Sequence, residues 1–287
     1  MTNIQKTNII LALVSAVLAV LCVLSIMEKL TMNRQRLIIR ISRDGIAFST
    51  TEEGAVRYER YPINSGISLA ANMREALRTQ LLLQDDYERV VVLIDSPVLC
   101  VPVAEFREEE RDQLYYYSFT RQDHQTVAHA ILPDLNSVAV FSVAKDLRQV
   151  LADRFGRVSY QPLMSTVWRR MYQKSFTGPH AKLYCYFHDR KVEVFSFEHN
   201  RFKFQNVYAA TTVDDALYYV LSVWKQLGMD PQNDELHLAG QSDDMKERAL
   251  QFVKRVFVSS PTGEFNRAPV TQIEGMPYDT MLVYLRS

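Results

Sequence analysis

From residue 36 onward the chain alternates short apolar runs with polar reversals, and the runs come in a recurring order. RLIIRIS (36–42) and IAFSTTE (46–52) cluster or alternate apolar side chains on either side of Asp44-Gly45, and AVRYERYPI (55–63) has strand character as well. An Asp-Gly pair at such a reversal predicts a hairpin turn that uses positive φ. SLAANMREALRTQLLLQ (68–84) spaces Leu69, Met73, Ala76, Leu77 and Leu81 along one helical face, with Ser68 placed as N-cap. ERVVVLIDSP (88–97) is apolar almost throughout, the pattern of a strand covered on both faces.

The same order returns in the second half. AKLYCYF (181–187) and KVEVFSF (191–197) flank His188-Asp189-Arg190, and RFKFQNVY (201–208) supplies the third strand. TVDDALYYVLSVWKQLGM (212–229) is an amphipathic helix capped by Thr212 and ended by Gly228. DELHLAGQ (234–241) matches the apolar strand, and DDMKERALQFVKRVF (243–257) reads as a second helix. Leu37 maps to Leu183, Ser68 to Val213 and Arg89 to Glu235, an offset near 145 throughout, which indicates an internal duplication. Material found only in the first half includes EFREEERDQLYYYSF (105–119) as a helix and TVAHAIL (126–132) as a strand. The expected organisation is a tail over 1–32, a first lobe over 33–178 with an inserted subdomain at about 98–135, and a second lobe over 179–287. Gly178-Pro179 marks the boundary between the lobes.

The tail carries an uncharged apolar run, Ile9 to Ile26, long enough for a bilayer span of roughly 20 residues. Lys29, Arg34, Arg36 and Arg40 follow it and only Lys6 precedes it, so the positive-inside rule leaves the large domain in the cytoplasm. The expectation is a cytoplasmic domain anchored to the inner membrane. The alternative is an upstream start codon, since Met27 and Met32 both precede the first strand.

Composition narrows the function classes. Thirty-three basic and 33 acidic residues balance, so there is no global basic field to hold nucleic acid. Three isolated cysteines suit small buried groups in a reducing compartment, and His124 and His129, five residues apart, fall on opposite faces of a strand with no Cys or third His near to make a metal site. Nine glycines in 287 residues is less than half the usual share of about 7%. Phosphate-cradling loops lean on glycine, so the shortage argues against several of them.

Two copies of β-β-β-α-β-α with an insertion in the first resemble the actin-like ATPase fold, ribonuclease H-like in each lobe, shared by sugar kinases, Hsp70 and actin. The insertion pattern is most similar to bacterial pilus-assembly and secretion-platform members, and the chain looks like an uncharacterised bacterial family of this fold. The resemblance implies three ATP-binding segments. The first phosphate loop reads apolar-Asp-apolar-Gly at the end of strand one, where IRIS places Arg40 at the acid and Ser42 at the glycine. A guanidinium cannot ligate Mg²⁺. At the second phosphate loop, LYCY places Tyr184 at the acid and Tyr186 at the glycine, and a bulky ring blocks the close approach of phosphate. The adenosine loop keeps Gly240 but has Gln241 in place of a second glycine.

All three segments depart from the pattern in the same direction, so the reading is a non-catalytic scaffold with no cofactor, a protein partner and a membrane tether. The alternative is an ATP-binding switch or kinase-like enzyme with an atypical site between the lobes. Side chains of Arg40, Ser42, Tyr184 and Tyr186 fill the cleft in the first case and leave it open in the second. Asp95, at the carboxyl end of an apolar strand, is the best-placed lone acid. Tyr115, Tyr116 and Tyr117 cannot all face one core, because successive helical positions turn by about 100°. At least one is therefore exposed or in an interface. MPYDTMLVYL (276–285) is too apolar for a loose tail and is expected to dock on the body or to support self-association.

Overall fold

The computed structural model describes residues 36–240 and 243–285. The apolar segment 9–26 and Gln241 lie outside the described residues. Among the described residues no helix is long and apolar enough to cross a membrane.

Strands β1 (Arg36–Ser42), β2 (Gly45–Glu52) and β3 (Ala55–Tyr61) form an antiparallel meander, followed by helix α1 (Leu69–Thr79). Ser68 caps α1, its hydroxyl accepting from the Ala71 amide at 3.2 Å. β4 (Arg89–Ile94) returns parallel to β1, with Arg36 opposite Arg89 and Arg40 opposite Leu93. β5 (Val98–Pro102), helix α2 (Arg111–Ser118), β6 (Gln125–Leu132) and β7 (Ser137–Ala144) follow, and their strands make a separate antiparallel sheet in the order β5-β7-β6. Helix α3 (Lys145–Phe155) leads to β8 (Val158–Pro162), which completes the first five-stranded sheet in the order β3-β2-β1-β4-β8.

Helix α4 (Ser165–Ser175) then crosses to the second half: β9 (Lys182–His188), β10 (Lys191–Glu198), β11 (Arg201–Ala209), helix α5 (Val213–Gln226), β12 (Glu235–Gly240), helix α6 (Asp243–Ala249) and β13 (Arg255–Val258). The sheet order is β11-β10-β9-β12-β13, the same as in the first half. Thr212 and Asp215 form a reciprocal capping box on α5, and Gly228 ends that helix at φ 65°. The stretch 243–257 is not one helix. It breaks after Ala249, and RVFV pairs parallel with β12 as an edge strand, so each half has one more strand than the β-β-β-α-β-α reading.

Each large sheet is covered on one face by its own helices. Leu37, Ile39 and Ile41 pack with Met73 of α1 and Leu147 of α3, and Leu183 and Cys185 pack with Val220 and Trp224 of α5. The opposite faces look toward each other, with α4 and two C-terminal helices, α7 (Pro261–Glu264) and α8 (Tyr278–Tyr284), at their junction. Val283 of α8 packs on Ile38, Val91 and Leu93 of the first sheet, while Tyr278 and Leu282 join Trp168, Tyr184, Tyr186 and Phe195. The apolar C-terminal run therefore docks as a helix between the halves.

Candidate functional site

The β1–β2 and β9–β10 hairpins meet where the two inner faces converge. Ser42 pairs with Gly45 in the first, and His188 pairs with Lys191 in the second. Both hairpins thus turn on two residues, Arg43-Asp44 and Asp189-Arg190. The register makes Tyr186 the counterpart of Arg40 and His188 the counterpart of Ser42. That corrects the placement of Tyr184, which falls opposite Ile38's position, one inward step deeper. Tyr184 does not border the cleft cavity but stacks on Phe195 with centroids 5.6 Å apart. A sequence alignment on residue type alone carries a two-residue slip unnoticed, because Tyr184 and Tyr186 share one face of the strand.

The expected positive-φ turn at Asp44-Gly45 is also corrected. Gly45 is the first residue of β2, and φ is positive at none of residues 43–45. The mirror-turn geometry belongs to the other hairpin, where φ is 45° at Asp189 and 60° at Arg190.

Arg40 is almost wholly buried and is bound on every side. Its Nε donates to Asp279 Oδ1 at 2.9 Å, one terminal nitrogen donates to Asp279 Oδ2 at 3.0 Å and to Asp189 Oδ2 at 2.8 Å, and the other donates to Ser42 Oγ at 2.7 Å. Ser42 Oγ in turn donates to Asp189 Oδ1 at 2.9 Å. Tyr186 donates its hydroxyl to Asp279 Oδ2 at 2.8 Å, and Thr280 Oγ1 donates to Asp279 Oδ1 at 2.8 Å. Asp279, with no exposed surface, reaches this point because α8 carries it between the sheets.

The electrostatics follow from these contacts. Burial opposes the charge on Arg40, but Asp279 and Asp189 outweigh it and raise its pKa above the usual arginine value. Burial alone would raise Asp189, yet hydrogen bonds from His188 and Arg40 hold its carboxyl well below the usual range. Burial and the neighbouring Asp279 push the Tyr186 phenol well above its ordinary value. His188 is disfavoured as a cation by burial, but Asp189 at 2.8 Å from Nδ1 and Glu193 at 3.8 Å from Nε2 bring its net pKa up.

Two further pairs join the halves. Arg190 donates to Asp44 at 2.6 Å, and Lys191 pairs with Asp95, the acid singled out in the sequence. Asp95, His188 and Asp189 are near enough to share a metal ion, their ligand atoms lying within 4.8 Å of one another. Their negative charge is already met by Lys191 and Arg40, so a metal would have to displace cations supplied by the chain.

Gly240 closes β12 at φ 85°, and a Cβ there would lie 2.1 Å from the carbonyl oxygen of Phe187. Close packing of β12 on β9 accounts for this glycine. Beside the network a cavity of about 460 Å³ remains, bordered by Arg40, Tyr58, Arg60, His188, Gly240 and Pro277. The cleft is therefore filled at its charged floor and open above it. Tyr115 is buried in the insertion with its hydroxyl 3.1 Å from Ser142 Oγ, Tyr116 is half-buried, and Tyr117 is 86% exposed.

Asp279 and Asp189 escaped the sequence reading. The available signal for Asp279 was a lone acid inside an apolar run: if that run is buried, the acid needs a cationic partner. Asp189 sits in a hairpin turn, where acids are common for local reasons and do not announce a distant partner.

This arrangement of two like sheets with hairpins converging on one cleft is the actin-like ATPase fold. A protein of Bacteroides thetaiotaomicron VPI-5482 with that fold and unknown function matches at TM-score 0.73 and 25% identity, over 81% of this chain and 93% of that one. The PilM-PilN type IV pilus biogenesis complex matches at TM-score 0.52 and 11% identity, over 80% and 90%. The cytoplasmic domain of EpsL, an inner membrane component of the Vibrio cholerae type II secretion system, matches at TM-score 0.38 and 12% identity, over 71% and 81%. The chain belongs to the family described as Protein of unknown function (DUF3822), whose model matches residues 25–256. No curated protein matches the sequence.

Proposed function

We propose that this protein is a non-catalytic scaffold or interaction module of the actin-like fold, working on the cytoplasmic side of a membrane with segment 9–26 as its tether. The observation that carries this reading is Arg40, bound by Asp279 and Asp189 at the point where the fold's ATPases organise metal and phosphate. Phosphoryl transfer needs positioned donors and a metal for the developing charge. Here carboxylates already occupy the donors of Arg40, and at the second hairpin Tyr186 stands at the position matching Arg40 while His188, not a small residue, stands at the position matching Ser42. Nucleotide phosphates entering the cavity would meet Asp189 as a like charge. The likeness to PilM, solved with PilN, supports a role in holding another protein. Tyr117, the exposed member of the tyrosine run, is the side chain best placed for a partner.

The second reading, an ATP-binding switch, draws on the cavity of about 460 Å³ above the charged floor, a volume in the range of ligand sites. Thermal unfolding under a Mg-ATP titration separates the two. The scaffold reading expects a melting temperature independent of nucleotide, and a saturable rise would establish the switch instead.

A further inference from the structure

A second cavity, of about 410 Å³, lies at the C-terminal end of α8, and its polar lining is Arg36, Gln161, Thr166, Arg169, Arg170 and Gln173 beside Asp134. Four of these residues follow one another at i, i+3, i+4 and i+7 along α4, so a single helical face presents two guanidiniums flanked by a hydroxyl and an amide. Arg36, opening β1, adds a third guanidinium, while Leu282 and Val283 of α8 form an apolar floor.

Among the described residues, the acids beside the two α4 guanidiniums are Asp134 and Glu264. Asp134 lies 3.7 Å from Arg169, and Arg170 bonds Glu264 at 3.2 Å, but Glu264 also serves Lys174. Among the described residues the buried Nε atoms of Arg169 and Arg170 have no hydrogen-bond partner: Arg169 Nε faces Asp134 only at 3.7 Å, and the Arg170 guanidinium lies over the Phe265 ring. A buried donor left without an acceptor is costly, and planar guanidiniums match the paired oxygens of carboxylates and phosphates. None of the six polar residues borders the Arg40 cleft.

We propose that this cavity binds a small multivalent oxyanion, a phosphate ester or a polycarboxylate, held by Arg169 and Arg170 of α4 together with Arg36. The volume suits a small metabolite and excludes a folded partner. Thr166 links the site to the cleft, since its hydroxyl donates to the carbonyl of Asp279 at 2.8 Å, so an anion here would brace α4 against α8.

Isothermal titration of the full chain with inorganic pyrophosphate, and separately with citrate, tests the assignment. One saturable site is expected for at least one probe, and the probe that binds tells a tetrahedral from a planar oxyanion. Arg169→Gln should weaken that binding about tenfold or more, the loss of one charged hydrogen-bond donor. Gln173→Glu, which keeps all three guanidiniums but sets a competing negative charge beside Arg169 and Arg170, should weaken it too and serves if the arginine variant fails to fold. Arg60→Gln, in the other cavity, should leave it unchanged. Absence of saturable binding to both probes would overturn the proposal, and so would binding that Arg60→Gln removes while Gln173→Glu leaves it intact.

Discussion

The two hairpins that face each other across the cleft occupy equivalent positions and carry opposite chemistry. The first sends a buried cation inward, Arg40, from a turn that keeps ordinary φ values. The second answers with an acid, Asp189, held in a turn whose two residues both have positive φ. At the tips the signs reverse, with Asp44 on the first and Arg190 on the second. The two like halves thus neutralise each other, and α8 supplies the remaining carboxylate through Asp279. On the proposed reading, side-chain charge takes the place between the hairpins that a bound anion and its metal occupy in ATPases of the fold.

The largest expected effect comes from removing one side of that match. Asp279→Ala leaves Arg40 buried and half-answered, and stability by urea unfolding should fall by about 3 to 5 kcal/mol. A loss under about 1 kcal/mol would show that the two hairpins do not depend on α8. Next in size is Gly240→Ala, where positive φ and a backbone clash combine. The expected loss is above about 2 kcal/mol, measured in the same way. It tests whether this strand end in the second half is fixed by packing on β9.

A pH series sharpens the comparison from both sides. The pKa of His188 is raised in the folded state, so its contribution is complete below its unfolded value of about 6.5 and fades as pH rises through the folded value. His188→Gln should flatten the stability curve above about pH 6.5. The pKa of Asp189 is lowered, so its contribution holds above about pH 3.8 and is lost on further acidification. Asp189→Asn should flatten the acid limb instead. The smallest effect belongs to Tyr117→Ser, which should change stability by no more than about 0.5 kcal/mol, because the ring is exposed and packs on no core.

Much of the fold is visible in the sequence because local signals and tertiary structure agree there. Ser68 and Thr212 cap the helices they were expected to cap, and the three meander strands of each half follow the apolar alternation. Edge strands were harder. VSYQP in β8 has little apolar pattern, and RVFV in β13 continues a helical spacing until β12 offers it a parallel partner. The site was legible only on one side. Arg40 stood out as a misplaced cation, but its partners lie 149 and 239 residues further along the chain. Local pattern carries no information about such pairings, and the hairpin register that aligns Arg40 with Tyr186 appears only once the strands are paired.

A double-mutant cycle between Arg40 and Asp279, with leucine at one or both positions, measures the central claim most directly. Each single change should destabilise by several kcal/mol, while the double variant should recover most of the loss, giving a coupling above about 2 kcal/mol. Losses that add to within about 0.5 kcal/mol would mean that the two side chains act independently, and that the floor of the cleft is not held together by their pairing.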